Sequence, residues 1–198
     1  GFDVIECNGH SYTELMNAFD RFMSNQQNGT GKPTAIIANE ADIVYPADAT
    51  NVHFEGELVI VIGKTATKVK REDALSYVFG VTIGNDVSAR DIQKKDGQWA
   101  RAKGFDTFCP LGPWIETDFV PEGQILETRV DGEIRQRAGN DKLIFDIPRI
   151  IQHVTQAMTL LPGDVIFTGT PAGVKNIKAG DVVEIEVEGI GVLRNPVA

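Results

Sequence analysis

The chain is poor in residues that would staple, anchor or target it. Among 198 residues there are two cysteines, Cys7 and Cys109, and three histidines. Two thiols cannot build a disulfide framework, so a reduced, cytoplasmic setting is the simplest expectation. No apolar run approaches the about 18–20 residues of a membrane span, and no signal peptide is visible. Positive charge is scarce too: 19 Lys and Arg against 28 Asp and Glu leave a net charge of −9. That balance argues against nucleic acid and against an anionic membrane as partners. An anionic substrate would need local positive charge, with Arg90, Arg101, Lys103 or a metal as sources. There is no internal repeat and no low-complexity tract. No initiator methionine precedes Gly1, which fits a trimmed chain or a fragment.

What is present suits one globular domain with a small appendage: 42% hydrophobic and 24% charged residues. The pattern divides near residue 40. In residues 1–40, positions 2–7 read as a strand, and Ser11 with Glu14 makes a capping box. Leu15, Ala18, Phe19, Phe22 and Met23 follow at helical spacing, and residues 33–38 read as a second strand. This is a small strand–helix–strand unit. Residues 41–198 are dominated by short strands, at 43–46, from Glu55 to Gly63, and at 81–83, 113–117, 125–130, 133–137, 165–168, 182–187 and 191–194. Asp131-Gly132 is a hairpin turn, and 97–109 reads as a loop that folds over the site. Helices are expected at 71–78 and, with its apolar stripe facing the core, at 147–158. The expected class is α+β and β-rich.

The chemistry gathers between His53 and Phe105. Glu55, Glu57 and Val59 alternate on a strand, which puts both carboxylates on one face, about 6–7 Å apart at Cα. Two such charges repel unless a cation lies between them, and a hard divalent ion accepts several carboxylate oxygens. Asp86, after a second strand-like run at 77–83, is the candidate third ligand, and Lys103 a mobile positive charge beside it. Each has a bland alternative: a Glu-x-Glu on the wet face of a half-buried sheet, a turn aspartate, a surface lysine.

Five ordered blocks weigh against those alternatives. They are Glu55-x-Glu57 before an apolar strand, Asn85-Asp86-Val87-Ser88-Ala89-Arg90-Asp91-x-Gln93, and Ala102-Lys103-Gly104-Phe105-Asp106-Thr107. The others are Cys109-Pro110-Leu111-Gly112-Pro113 and Leu161-Pro162-Gly163-Asp164-Val165-Ile166-x-Thr168-Gly169-Thr170-Pro171. From about Ala41 to the C-terminus the chain resembles the fumarylacetoacetate hydrolase family. The resemblance implies that family's mixed β-sandwich roll, commonly a homodimer, with Mg²⁺ (or Mn²⁺ or Ca²⁺) held by Glu55, Glu57 and Asp86. It implies Lys103, Gln93 and Arg90 as catalytic residues, and Thr170, Gly169 and Lys103 as groups that bind substrate. The implied activity is metal-dependent cleavage of carbon–carbon bonds in acylpyruvates and related 2-oxo carboxylates, as in aromatic compound catabolism. The alternatives are a 2-oxo acid decarboxylase and a 2-hydroxyhepta-2,4-diene-1,7-dioate isomerase.

Some residues keep two readings. Arg90 serves the metal shell or pairs with Asp91. Thr170 donates its hydroxyl or N–H to a substrate carboxylate, or merely makes a tight turn. His53 orients Glu55 or lies on the surface, His153 is a packing or surface residue, and Cys109 reads as a buried structural thiol. Residues 1–39 resemble instead a short piece of the thiamine-binding domain of transketolases, without its cofactor-binding sequence, so no thiamine chemistry is inferred. Setting Tyr12 on the tyrosine of the hydrolase family's lid motif puts Leu15 and Ala18 where that motif has His and Glu. His10 is a possible substitute for that missing pair. A chimera, or a non-catalytic scaffold that keeps the fold, therefore competes with the enzyme reading.

Overall fold

The sequence Gly56–Ile62 is buried at every position, so it is a strand covered on both faces rather than one with a wet side. It is an interior strand of the first of two main sheets. The computed structural model describes Glu6, Cys7, His10, Ser11 and residues 35–121 and 123–198. In chain order the strands are β1 (Glu6–Cys7), β2 (His10–Ser11), β3 (Ile36–Ile37), β4 (Val52–His53), β5 (Gly56–Ile62), β6 (Val78–Asn85) and β7 (Ser88–Ala89). Then follow β8 (Cys109–Glu116), β9 (Ile125–Val130), β10 (Glu133–Gly139), β11 (Val165–Phe167), β12 (Val182–Val187) and β13 (Gly191–Pro196). The α-helices are α1 (Arg90–Asp96), α2 (Ala100–Lys103) and α3 (Ile147–Ala157).

The first sheet has the order β11-β5-β6-β8-β3 and the second β10-β9-β12-β13. Every pairing in them is antiparallel except β3 on β8. Leu58, Ile60, Ile62 and Ile83 of the first sheet share one buried core with Leu126, Val130, Ile185 and Val187 of the second. Helix α3 closes one side, burying Ile147, Ile151 and Thr155. The Asp146 side chain caps it, accepting from Arg149 N at 2.9 Å. The β-rich mixed fold of the hydrolase type, with few helices, is what the sequence implied.

The strands at 125–130 and 182–187 fall where the alternation puts them, and Asp131 and Gly132 both take positive φ in the hairpin. Other expectations need correction. Residues 71–77 form a 3₁₀ helix, a short segment with no side-chain cap at Lys70. The expected strand at 43–46 reduces to one bridge, Ile43 with Val197. Residues 97–109 are not all loop, since α2 lies within them, and α1 was not anticipated. Strand β8 begins at Cys109, ahead of the expected 113, because Cys109 N donates to Ala35 O at 2.7 Å beside the β3 pairing.

Residues 35–41 dock on the body of the sandwich. Besides the β3–β8 pairing, Asn195 Nδ2 donates to Ala38 O and Ala41 O at 3.0 and 2.8 Å. Upstream, β1 and β2 pair antiparallel, Ser11 opposite Glu6. The strand expected at 2–5, the helix after Ser11 and the lid positions Tyr12, Leu15 and Ala18 lie outside the described residues. No helix among the described residues is long and apolar enough to cross a membrane.

Candidate metal centre

Strand pairing brings the three acidic residues together. Gly56 pairs with Asn85 across β5 and β6, so Glu55 and Asp86 leave the ends of adjacent strands side by side. Asp86 N donates to Glu55 O at 2.9 Å, and Asn85 Oδ1 accepts from Glu55 N at 2.9 Å. Glu57, one pleat further in, is 3% exposed. Carboxylate oxygens of Glu55, Glu57 and Asp86 all lie within 4.8 Å of one another. That span equals two metal–oxygen bonds of about 2.4 Å end to end, so one hard divalent ion can reach all three.

The charges around the trio explain why it tolerates burial. Lys103, the last residue of α2, points its Nζ between Glu55 Oε2, at 2.9 Å, and Asp86 Oδ2. Arg90, the first residue of α1, binds the other oxygen of Glu55. Glu57 has no ion-pair partner among the described residues; its Oε2 accepts from Gly169 N at 2.6 Å. Burial, with the charges of Asp86 and Glu55 adding to it, pushes the Glu57 carboxyl up to about 7 despite that hydrogen bond. Burial likewise raises Asp86, against the opposing bond from Lys103. Burial works against the Lys103 charge, but hydrogen bonds to Asp86 and Glu55 outweigh it and its pKa is raised. Three hard oxygen donors short of positive charge fit a divalent cation.

The remaining residues divide. Arg90 does not pair with Asp91, whose Oδ2 instead takes Thr50 N and Thr50 Oγ1, both at 2.9 Å. Gln93 Oε1 accepts from Arg90 Nη1 at 3.0 Å, so Gln93 meets the centre through Arg90. Of the two Thr170 donors, the hydroxyl is engaged within the fold, donating to Gly56 O at 2.9 Å. Arg101 pairs with Asp96 at 2.8 Å on the exposed side and is removed from the candidate sources of site charge. His53 Nε2 pairs with Asn51 Oδ1 at 2.9 Å, not with Glu55. His153 is exposed on α3. The Cys109 thiol is pushed up to about 12 by burial and by the Asp86 charge, which disfavours the reactive thiolate. A cleft of about 440 Å³ lies along Leu58, Phe167 and the Gly169–Thr170 turn, lined also by Leu143 and Phe145. Its lining includes none of the three acidic residues or Lys103.

One residue that composition and spacing gave no reason to single out is Gln136. Its side chain reaches from β10 to Gly56, the residue between the two glutamates.

The family model for the C-terminal part of fumarylacetoacetate (FAA) hydrolase matches residues 5–198. The chain belongs to the fumarylacetoacetate hydrolase family. The match begins well ahead of Ala41, where the resemblance in the motifs starts. A solved structure from Mycobacterium marinum, named 2-hydroxyhepta-2,4-diene-1,7-dioate isomerase, is 55% identical with a TM-score of 0.82, covering 83% of this chain and 66% of that one. The oxaloacetate tautomerase of Bacillus subtilis is 40% identical over 178 residues, 84% of this chain and 59% of the relative. A fumarylpyruvate hydrolase from Pseudomonas aeruginosa, solved with Mn²⁺ and pyruvate, is 31% identical with a TM-score of 0.78, covering 83% of this chain and 75% of that one. Two relatives, from Methanocaldococcus jannaschii and Mycobacterium tuberculosis, are 54% and 55% identical; the match covers 83% of this chain but 70% and 63% of their own length, so about a third of each lies outside it.

Proposed function

We propose that this chain is a divalent-metal-dependent enzyme acting on small 2-oxo carboxylates through their enolate form. The observation that carries the reading is the convergence of Glu55, Glu57 and Asp86 with Lys103 between them. Held by the three carboxylates, Mg²⁺ or Mn²⁺ would supply Lewis acidity toward the keto and carboxylate oxygens of such a substrate. The protein's own groups do the rest. Lys103, kept charged by its carboxylate partners, balances negative charge as it develops on the substrate oxygen. Arg90, steadied by Gln93, fixes the direction of Glu55. Gly169 N–H fixes Glu57, and the neighbouring Thr170 N–H is the donor offered to a substrate carboxylate.

Enolate stabilisation serves isomerisation, decarboxylation and carbon–carbon hydrolysis alike. Isomerisation or keto–enol tautomerisation is the first reading, because the relatives so named are 55% and 40% identical. Hydrolysis of acylpyruvates is the second, supported by the 31% identical fumarylpyruvate hydrolase. A homodimer belongs to the proposal, and light scattering of the purified chain tests it.

The deciding experiment compares oxaloacetate tautomerisation, oxaloacetate decarboxylation and acylpyruvate hydrolysis in Mg²⁺ or Mn²⁺, with Glu57→Gln and Asp86→Asn as controls. Metal-dependent tautomerisation lost in both variants is expected. Hydrolysis outrunning tautomerisation would reverse the order of the two readings. No metal-dependent turnover on any substrate would leave a non-catalytic scaffold.

A further inference from the structure

The two liganding glutamates flank Gly56, which has no side chain to anchor the strand between them. The anchoring comes from the opposite sheet. Gln136 is 1% exposed, and its Oε1 accepts from Gly56 N at 3.1 Å. Its Nε2 donates to Thr170 Oγ1 at 2.8 Å and to Pro171 O at 2.7 Å. The Thr170 hydroxyl then donates to Gly56 O at 2.9 Å, closing a ring through Gly56, Gln136 and Thr170. Both polar groups of Gly56 are therefore fixed. The adjoining residue of the turn, Gly169, gives its N–H to Glu57 at 2.6 Å. One buried amide thus sets both the strand that projects Glu55 and Glu57 and the turn that holds the Glu57 carboxylate. Each partner's chemistry requires the amide's orientation: an N–H faces its oxygen, and a carbonyl faces its NH₂.

A local irregularity makes this reach possible. In β10, Ile134 faces Arg129 while Gln136 faces Thr128, so one extra residue is inserted between them. The bulge breaks the alternation, leaving Ile134 exposed and turning Gln136 inward. Gly173, at φ +114°, passes flush against the bulge, where a Cβ would strike Arg135 O.

We infer that Gln136 is a positioning residue for the metal centre, setting the spacing of Glu55 and Glu57 and the hold on Glu57 without touching ion or substrate. The inference rests on the reading of the three carboxylates as a divalent-ion site. The test is Mn²⁺ titration followed by electron paramagnetic resonance of free Mn²⁺, well below the melting temperature. The proteins are wild type, Gln136→Met, Thr170→Val and Thr170→Ser, with thermal melts of each metal-free form. Wild type binds Mn²⁺; Gln136→Met and Thr170→Val weaken binding about 10–100-fold, the range for residues that orient metal ligands. Thr170→Ser, which keeps the hydroxyl, restores it. Folded Gln136→Met and Thr170→Val proteins that bind Mn²⁺ as wild type does would overturn the inference and leave the metal site standing. Wild type that binds no Mn²⁺ would overturn both. If Gln136→Met does not fold, the threonine pair decides: loss with valine and recovery with serine supports the inference, and equal binding by both overturns it.

Discussion

Gly56→Ala perturbs stability and the metal centre through one atom. Gly56 lies where β5 runs close against the second sheet. A Cβ built there falls nearer to Thr128 Oγ1 than the 3.0 Å that real Cβ atoms respect, and 3.2 Å from both Gln136 Oε1 and Ile185 Cγ2. Thr128 and Ile185 are 0% and 1% exposed, so neither can swing into solvent. The strand must shift or the sheets must part, and overpacking of this kind costs about 1–3 kcal/mol. For a domain of this size that corresponds to a melting temperature lower by about 2–12 °C. The shift acts on the residue between Glu55 and Glu57, so Mn²⁺ affinity should fall in the same variant. Differential scanning calorimetry of the metal-free protein and a Mn²⁺ titration read the two effects. An alanine variant with wild-type melting and wild-type affinity would refute the reasoning, because the close approach of the sheets would then not exist in solution.

Three further outcomes follow from the same geometry. Lys103→Met should lower kcat about 10²–10³-fold, the usual loss when a group balancing transition-state charge is removed. Because Glu55 and Asp86 then face each other without the ammonium, its metal-free form should also melt lower, and added Mn²⁺ should recover much of that loss. Asp146→Ala removes the cap of α3 and should cost about 1 kcal/mol in urea unfolding, while Asn retains the cap. The Asp146 carboxyl is held below its usual value by Arg71 and by Arg149 N–H, so its contribution is present above the unfolded pKa and fades as pH falls through the folded one. The acid limb of the stability curve should therefore flatten in Asp146→Asn. In a Cys7→Ser background, Cys109 should resist alkylation at pH 8 in the folded protein and react at once in denaturant, as its raised pKa requires.

Much of the centre was legible because it is written as short-range pattern. Glu55-x-Glu57 needs only the two-residue repeat of a strand, and Asp86 follows directly from the end of the next strand. Lys103 and Arg90 stood out through the motifs around them. Gln136 did not, because glutamine in Glu133-Ile134-Arg135-Gln136-Arg137 looks like the wet side of a hairpin. Only the bulge, which lies against Gly173, turns it inward. The sequence could not choose between the hydroxyl and the N–H of Thr170 for a related reason: the hydroxyl's acceptor, Gly56 O, lies more than a hundred residues away in sequence. Helix α1 was missed because only Ile92 of its seven residues is buried, which leaves no apolar stripe to read.

The most direct test of the central claim is an anomalous difference map from crystals soaked in Mn²⁺. The account predicts one strong peak bounded by carboxylate oxygens of Glu55, Glu57 and Asp86. A featureless map at that position, or manganese bound only elsewhere, would contradict it.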